Sequence, residues 1–155
     1  MKKYFVIAIL AVAVTTLGTS LANHLSSPEN PNKNIWDLLM KVKWVKTYDK
    51  KYKTNNYAPK FTKEIQALNG KVITIKGYLI PVDLYGGGEF AIISALPVAN
   101  CFFCGGAGPE TVMEIYTKQK IKADNTGKVT FRGRLELNPN DADHLIYILR
   151  DAKPL

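Results

Sequence analysis

Sulfur and imidazole are scarce in this chain, with two cysteines and two histidines among 155 residues. A covalently attached c-type haem is excluded, because that pattern needs His directly after the second Cys and residue 105 is Gly. Serine is sparse too, and no Ser occupies a nucleophile-elbow pattern. The chain offers no Ser-His-Asp arrangement and no pair of carboxylates that must approach in space. The Gly86-Gly87-Gly88 run lacks the spacing and the Lys of a phosphate-binding loop, and reads as a hairpin turn. No internal repeat is present. These absences leave no catalytic constellation and point to a binding module.

What is present begins at the N-terminus. Met1-Lys2-Lys3 is followed by the apolar run Tyr4–Val14, then by small and polar residues ending in Ser20-Leu21-Ala22. That order predicts a signal peptide over residues 1–22, cleaved after Ala22, and hence a periplasmic or secreted protein. The apolar core is short for a membrane span of about 20 residues, so no transmembrane segment is expected after cleavage. No Cys lies beside the cut, which argues against a lipid anchor. The remaining 133 residues suffice for one domain with its own core. Loss of Lys2 and Lys3 lowers 21 basic residues to 19 against 13 acidic, a net charge of +6. A positive surface favours anionic partners such as lipid headgroups or acidic polysaccharide. Export argues against nucleic acid.

Residues 23–33 are polar and proline-bearing and read as a flexible lead-in. A helical preface is expected over 34–69. Asn34 is placed to cap a helix whose Ile35, Leu38, Leu39, Val42 and Val45 recur at helical spacing, with Trp36, Met40 and Trp44 widening the stripe. Thr47–Pro59 lacks a period and reads as a loop. A second, short helix is expected over Thr62–Leu68, ended by Gly70.

From Lys71 the period becomes two, and strands are expected at Lys71–Pro81, Glu89–Leu96, Thr111–Lys118, Lys128–Asn138 and His144–Ala152. In Lys128–Asn138, Val129, Phe131, Gly133, Leu135 and Leu137 alternate with polar residues, the mark of one buried and one wet face. Asp124-Asn125-Thr126-Gly127 is a turn, and Asp141 and Asp143 read as turn and cap residues. Five strands, two with a central Gly, predict a mainly β (α+β) fold: a small curved barrel over 70–155 behind the helical preface.

The segments Gly70-Lys71-Val72 with Lys76-Gly77-Tyr78, Val129 with Arg132-Gly133-Arg134-Leu135, and Tyr147–Ala152 look like OB-fold strands. Phe61–Ala152 also resembles periplasmic OB-fold-like domains of unknown function that carry a Cys- or His-bearing loop. The resemblance implies export and a binding role and names no ligand. One departure leaves an SH3-like barrel or an open sandwich in play: only Gln119–Gly127 separates the third and fourth strands, where an OB fold usually has a helix.

The two cysteines form the clip Asn100-Cys101-Phe102-Phe103-Cys104-Gly105-Gly106 between the second and third strands. Three chemistries suit it. A C-x-x-C-G turn resembles a zinc knuckle, with both sulfurs able to reach one ion and Gly accepting a positive φ. Zinc needs four ligands, and His144, Glu110, Glu114 or a second clip across a homodimer would complete the set, His24 being a remote choice. Copper(I) needs only two or three soft ligands. A structural disulfide suits an exported protein, though so short a loop gains on the order of 2 kcal/mol or less. A thiol–disulfide redox pair is the third, but the Gly-rich run after Cys104 cannot continue a helix and no basic residue flanks either Cys. The expected function is an exported module that binds zinc or copper(I) at Cys101 and Cys104. The alternative is an envelope scaffold, stiffened by a Cys101–Cys104 disulfide, whose partner is another envelope protein.

Overall fold

The alternation in the second half of the chain closes into a barrel in the computed structural model, which describes residues 34–50, 53–81 and 90–155. The expected signal peptide, the expected lead-in with His24 and the expected turn at Gly86–Gly88 lie outside the described residues. The five barrel strands are β3 (Val72–Ile80), β4 (Phe90–Ser94), β5 (Val112–Tyr116), β6 (Lys128–Leu137) and β7 (Tyr147–Pro154). Their order around the closed barrel is β3-β4-β5-β7-β6. Neighbours are antiparallel except β5 and β7, which run parallel through Glu114↔Ile148 and Ile115↔Leu149. The last strand thus enters between the third and the fourth. This is the OB-like arrangement, and it removes the SH3-like meander and the open sandwich.

The alternation sorts the side chains as expected. Ile73 and Ile75 of β3 and Val129, Phe131 and Leu135 of β6 line the interior, with Ile93, Met113, Ile115, Tyr147, Leu149 and Ala152. Sharp curvature requires close backbone approach. A Cβ at Gly133 would lie 2.8 Å from the carbonyl oxygen of Arg150. There β7 carries one extra residue, with Asp151 at φ 52°, so the strand bulges and the barrel turns its corner.

Residues 117–127 hold no helix, so the usual OB plug is missing. The N-terminal segment takes its place. Helices α1 (Ile35–Leu39) and α2 (Lys63–Gln66) send Trp36, Leu39 and Ile65 into the barrel core, with Val42 and Phe61 beside them. Asn34 caps α1 by accepting from the Trp36 N–H, and Thr62 caps α2 by accepting from the Ile65 N–H. Two buried polar tips complete the plug. Trp36 Nε1–H donates to the Lys76 carbonyl at 2.9 Å. The Tyr147 hydroxyl donates to the Leu39 carbonyl at 2.7 Å, satisfying one of the acceptors left over at the end of a helix.

The preface departs from its expected form. The first helix stops at Leu39 rather than reaching Val45, and the expected loop is a hairpin. Strands β1 (Lys43–Asp49) and β2 (Thr54–Lys60) pair in register from Lys43↔Lys60 to Asp49↔Thr54. Val45, Thr47 and the aromatic residues Trp44, Tyr48 and Tyr57 favour extended backbone, and that preference outweighs the helical spacing of Val42 and Val45. His144 precedes the last strand, which begins at Tyr147. Among the described residues no helix is long and apolar enough to cross a membrane.

Candidate functional site

Adjacent strand residues face opposite ways, so while Ile93 and Met113 point into the barrel, Phe90, Ile92, Val112, Glu114 and Tyr116 lie on its outer face. The chain from Ser94 to Thr111 folds back over that face. It is irregular but fully tied, through single 3-10 turns at Val98–Asn100, Phe102–Cys104 and Pro109–Thr111. The Ser94 hydroxyl starts the turn by accepting from the Leu96 N–H.

Cys101 is buried in a small apolar cluster with Ile80, Ile92 and Val112, covered by Phe90, Phe102 and Leu145. Cys104 is exposed. Three bonds set the turn: Cys104 N–H and Gly106 N–H to the Cys101 carbonyl, and Gly105 N–H to the Phe102 carbonyl. Gly105 sits at φ 77°, a left-handed conformation that costs Gly nothing. A Cβ on Gly106 would strike the Asn100 carbonyl. The two glycines after the clip are therefore required by the turn.

This turn brings the sulfurs to 3.9 Å, within hydrogen-bonding reach of each other. A disulfide would need about 2.05 Å. Two sulfurs bound at about 2.3 Å to one tetrahedral zinc stand about 3.8 Å apart. The observed spacing is that of two free thiols in contact, and it is also close to the separation of two sulfurs on one ion. The Cys104 thiol is held above its usual pKa, first by its bond with Cys101, then by desolvation and by the neighbouring sulfur's charge. That direction is opposite to the one that activates a nucleophilic thiol.

The other expected ligands are engaged elsewhere. Glu110 accepts from Trp44 Nε1–H at 3.1 Å and ties the base of the hairpin to the clip loop. His144 Nδ1 faces Glu114 Oε2 at 3.1 Å. Among the described residues no three His, Cys, Asp or Glu side chains form a metal-holding group. Of the four expected ligands, the structure pairs Cys101 with Cys104, while Glu110 is engaged by Trp44 and His144 by Glu114.

Glu114 is the residue whose importance the sequence understated. It is 3% exposed and fully used. Oε1 accepts from the Leu145 N–H at 2.7 Å, and Oε2 accepts from the Tyr116 hydroxyl at 3.1 Å and contacts His144. Burial, then the Glu114 charge, raise the Tyr116 pKa. The available signal was a lone acid inside the apolar strand Val112-Met113-Glu114-Ile115-Tyr116. Beyond Ile115↔Leu149 no further β5–β7 pairing is made, and a groove of about 640 Å³ opens. Tyr116, Lys118, Gln119, Arg150 and Lys153 line it, and the Arg150 guanidinium stacks 4.1 Å over the Tyr116 ring. No family model, curated protein or solved structure matches the chain.

Proposed function

We propose that this domain is an exported binding module that takes a soft metal ion, copper(I) or zinc, between the Cys101 and Cys104 sulfurs. The 3.9 Å spacing on a turn whose glycines leave it little freedom is the observation that carries the reading. The raised Cys104 pKa fits a resting thiol pair that the ion itself deprotonates on binding. Copper(I) is satisfied by two thiolates. Zinc requires two more ligands, and with Glu110 and His144 held by Trp44 and Glu114, a second clip in a homodimer is the economical source. In this reading the mature chain begins at Asn23 and works beyond the inner membrane.

The test is a titration of the reduced mature protein with zinc and with copper(I) against a competing chelator. Uptake of one copper(I) per chain, or one zinc per two chains, is expected, and is lost in Cys101→Ser/Cys104→Ser. No uptake of either ion at micromolar concentration overturns the reading.

The groove beside Tyr116 favours a second reading, a scaffold that seats an envelope protein there while Cys101 and Cys104 form a structural disulfide. Material purified from the envelope would then be two hydrogens lighter and inert to both ions, and partner binding would survive the double Ser variant.

A further inference from the structure

The hairpin β1–β2 is a sheet of its own. Among the described residues it pairs with no barrel strand, and it is moored at its base by the Trp44–Glu110 bond. Beyond that base both faces are open: Val45 to Tyr48 and Thr54 to Tyr57 are exposed. Residues opposite each other in an antiparallel pair share a face. One face therefore carries Trp44, Lys46, Tyr48, Asn55, Tyr57 and Pro59, and the other Lys43, Val45, Thr47, Asn56, Ala58 and Lys60. Val45 is 43%, Tyr48 59% and Tyr57 67% exposed. Lys43, Lys46, Lys50, Lys53 and Lys60 are exposed along the same projection, and none takes part in an ion pair among the described residues.

We infer that this hairpin docks the protein on an anionic phospholipid surface. Two features choose that occupant. The cations of the hairpin are all lysines, while the three arginines of the chain, Arg132, Arg134 and Arg150, lie on barrel strands. Lysine is a compact point charge suited to a diffuse negative surface, whereas geometric recognition of individual phosphates favours the arginine fork. Tyrosines with an apolar ring and a polar tip settle at headgroup depth, and Tyr48 and Tyr57 stand exposed here among the lysines. The inference is independent of what the cysteine clip binds.

The experiment uses the mature chain and sedimented vesicles of phosphatidylcholine, with and without about 30% phosphatidylglycerol. Binding to the anionic vesicles alone is expected, and raising salt from roughly 0.05 M to 0.5 M should release it. Lys46→Gln/Lys50→Gln/Lys53→Gln should lower the partition coefficient on the order of 100-fold, at about fivefold per lysine. The matching triple Lys→Arg variant should retain binding, and Tyr48→Ser/Tyr57→Ser should lower it roughly tenfold. Melting temperatures equal to wild type would establish that the barrel is intact. Failure to bind anionic vesicles, a Gln variant that binds like wild type, an Arg variant that loses binding, or a preference for single-stranded DNA over the vesicles would each overturn the inference. The lysines would in those cases be guards against edge-to-edge strand pairing.

Discussion

The barrel, antiparallel except between β5 and β7, and the antiparallel hairpin both use Val, Thr, Tyr and Lys, yet they are stabilised in opposite ways. In β6 every second residue from Val129 to Leu135 is buried, and each strand is hydrogen-bonded on both sides. In β2 no residue is fully buried, and among the described residues the hairpin is held by its own ladder and by Trp44, which bonds Glu110 and packs against the core. A two-stranded ribbon is marginal by itself in water. The barrel carries the free energy of the fold, and the hairpin is a surface it displays.

Breaking the barrel's plug should have the largest effect. Trp36→Ala removes a buried ring and the bond to Lys76, and is expected to cost about 3–5 kcal/mol in urea unfolding. Gly133→Ala pushes a methyl against the Arg150 carbonyl and should cost about 1–3 kcal/mol, read the same way. Tyr147→Phe leaves the Leu39 carbonyl without its donor, for a loss of about 1–2 kcal/mol. A smaller effect concerns acid. Asp124 is held well below the usual carboxylate range by Thr126 first, then by the Lys128 backbone and by Lys76. Glu136 is lowered chiefly by Arg150. Both folded pKa values lie below the unfolded ones, so this stabilisation is present above about pH 4 and fades as pH falls through the folded values. Asp124→Asn should flatten the acid limb of a melting-temperature-versus-pH curve and leave the neutral limb shallow as before. At the other extreme, Tyr57→Ser in the hairpin should shift stability by no more than about 0.5 kcal/mol.

The same contrast explains what could be read beforehand. Strands β3 and β6 alternate because one face meets the core and the other water, and that imprint is local, so both were legible. The hairpin meets water on both faces and leaves no such imprint. Its aromatic and β-branched residues, Trp44 to Tyr48, were the only sign, and the accidental helical spacing of Val42 and Val45 masked it. The cysteine pair was legible since three residues and a Gly determine the turn. The partners of Glu110 and His144 were not, because Trp44 and Glu114 reach them only through the tertiary fold, across 66 and 30 residues.

The central functional claim concerns the sulfurs, and X-ray absorption at the metal edge of the copper(I)- or zinc-loaded mature protein addresses it directly. The account predicts a shell of sulfur scatterers at about 2.2–2.3 Å, two for copper(I) and four for a zinc shared by two chains. A shell of nitrogen and oxygen alone would contradict it.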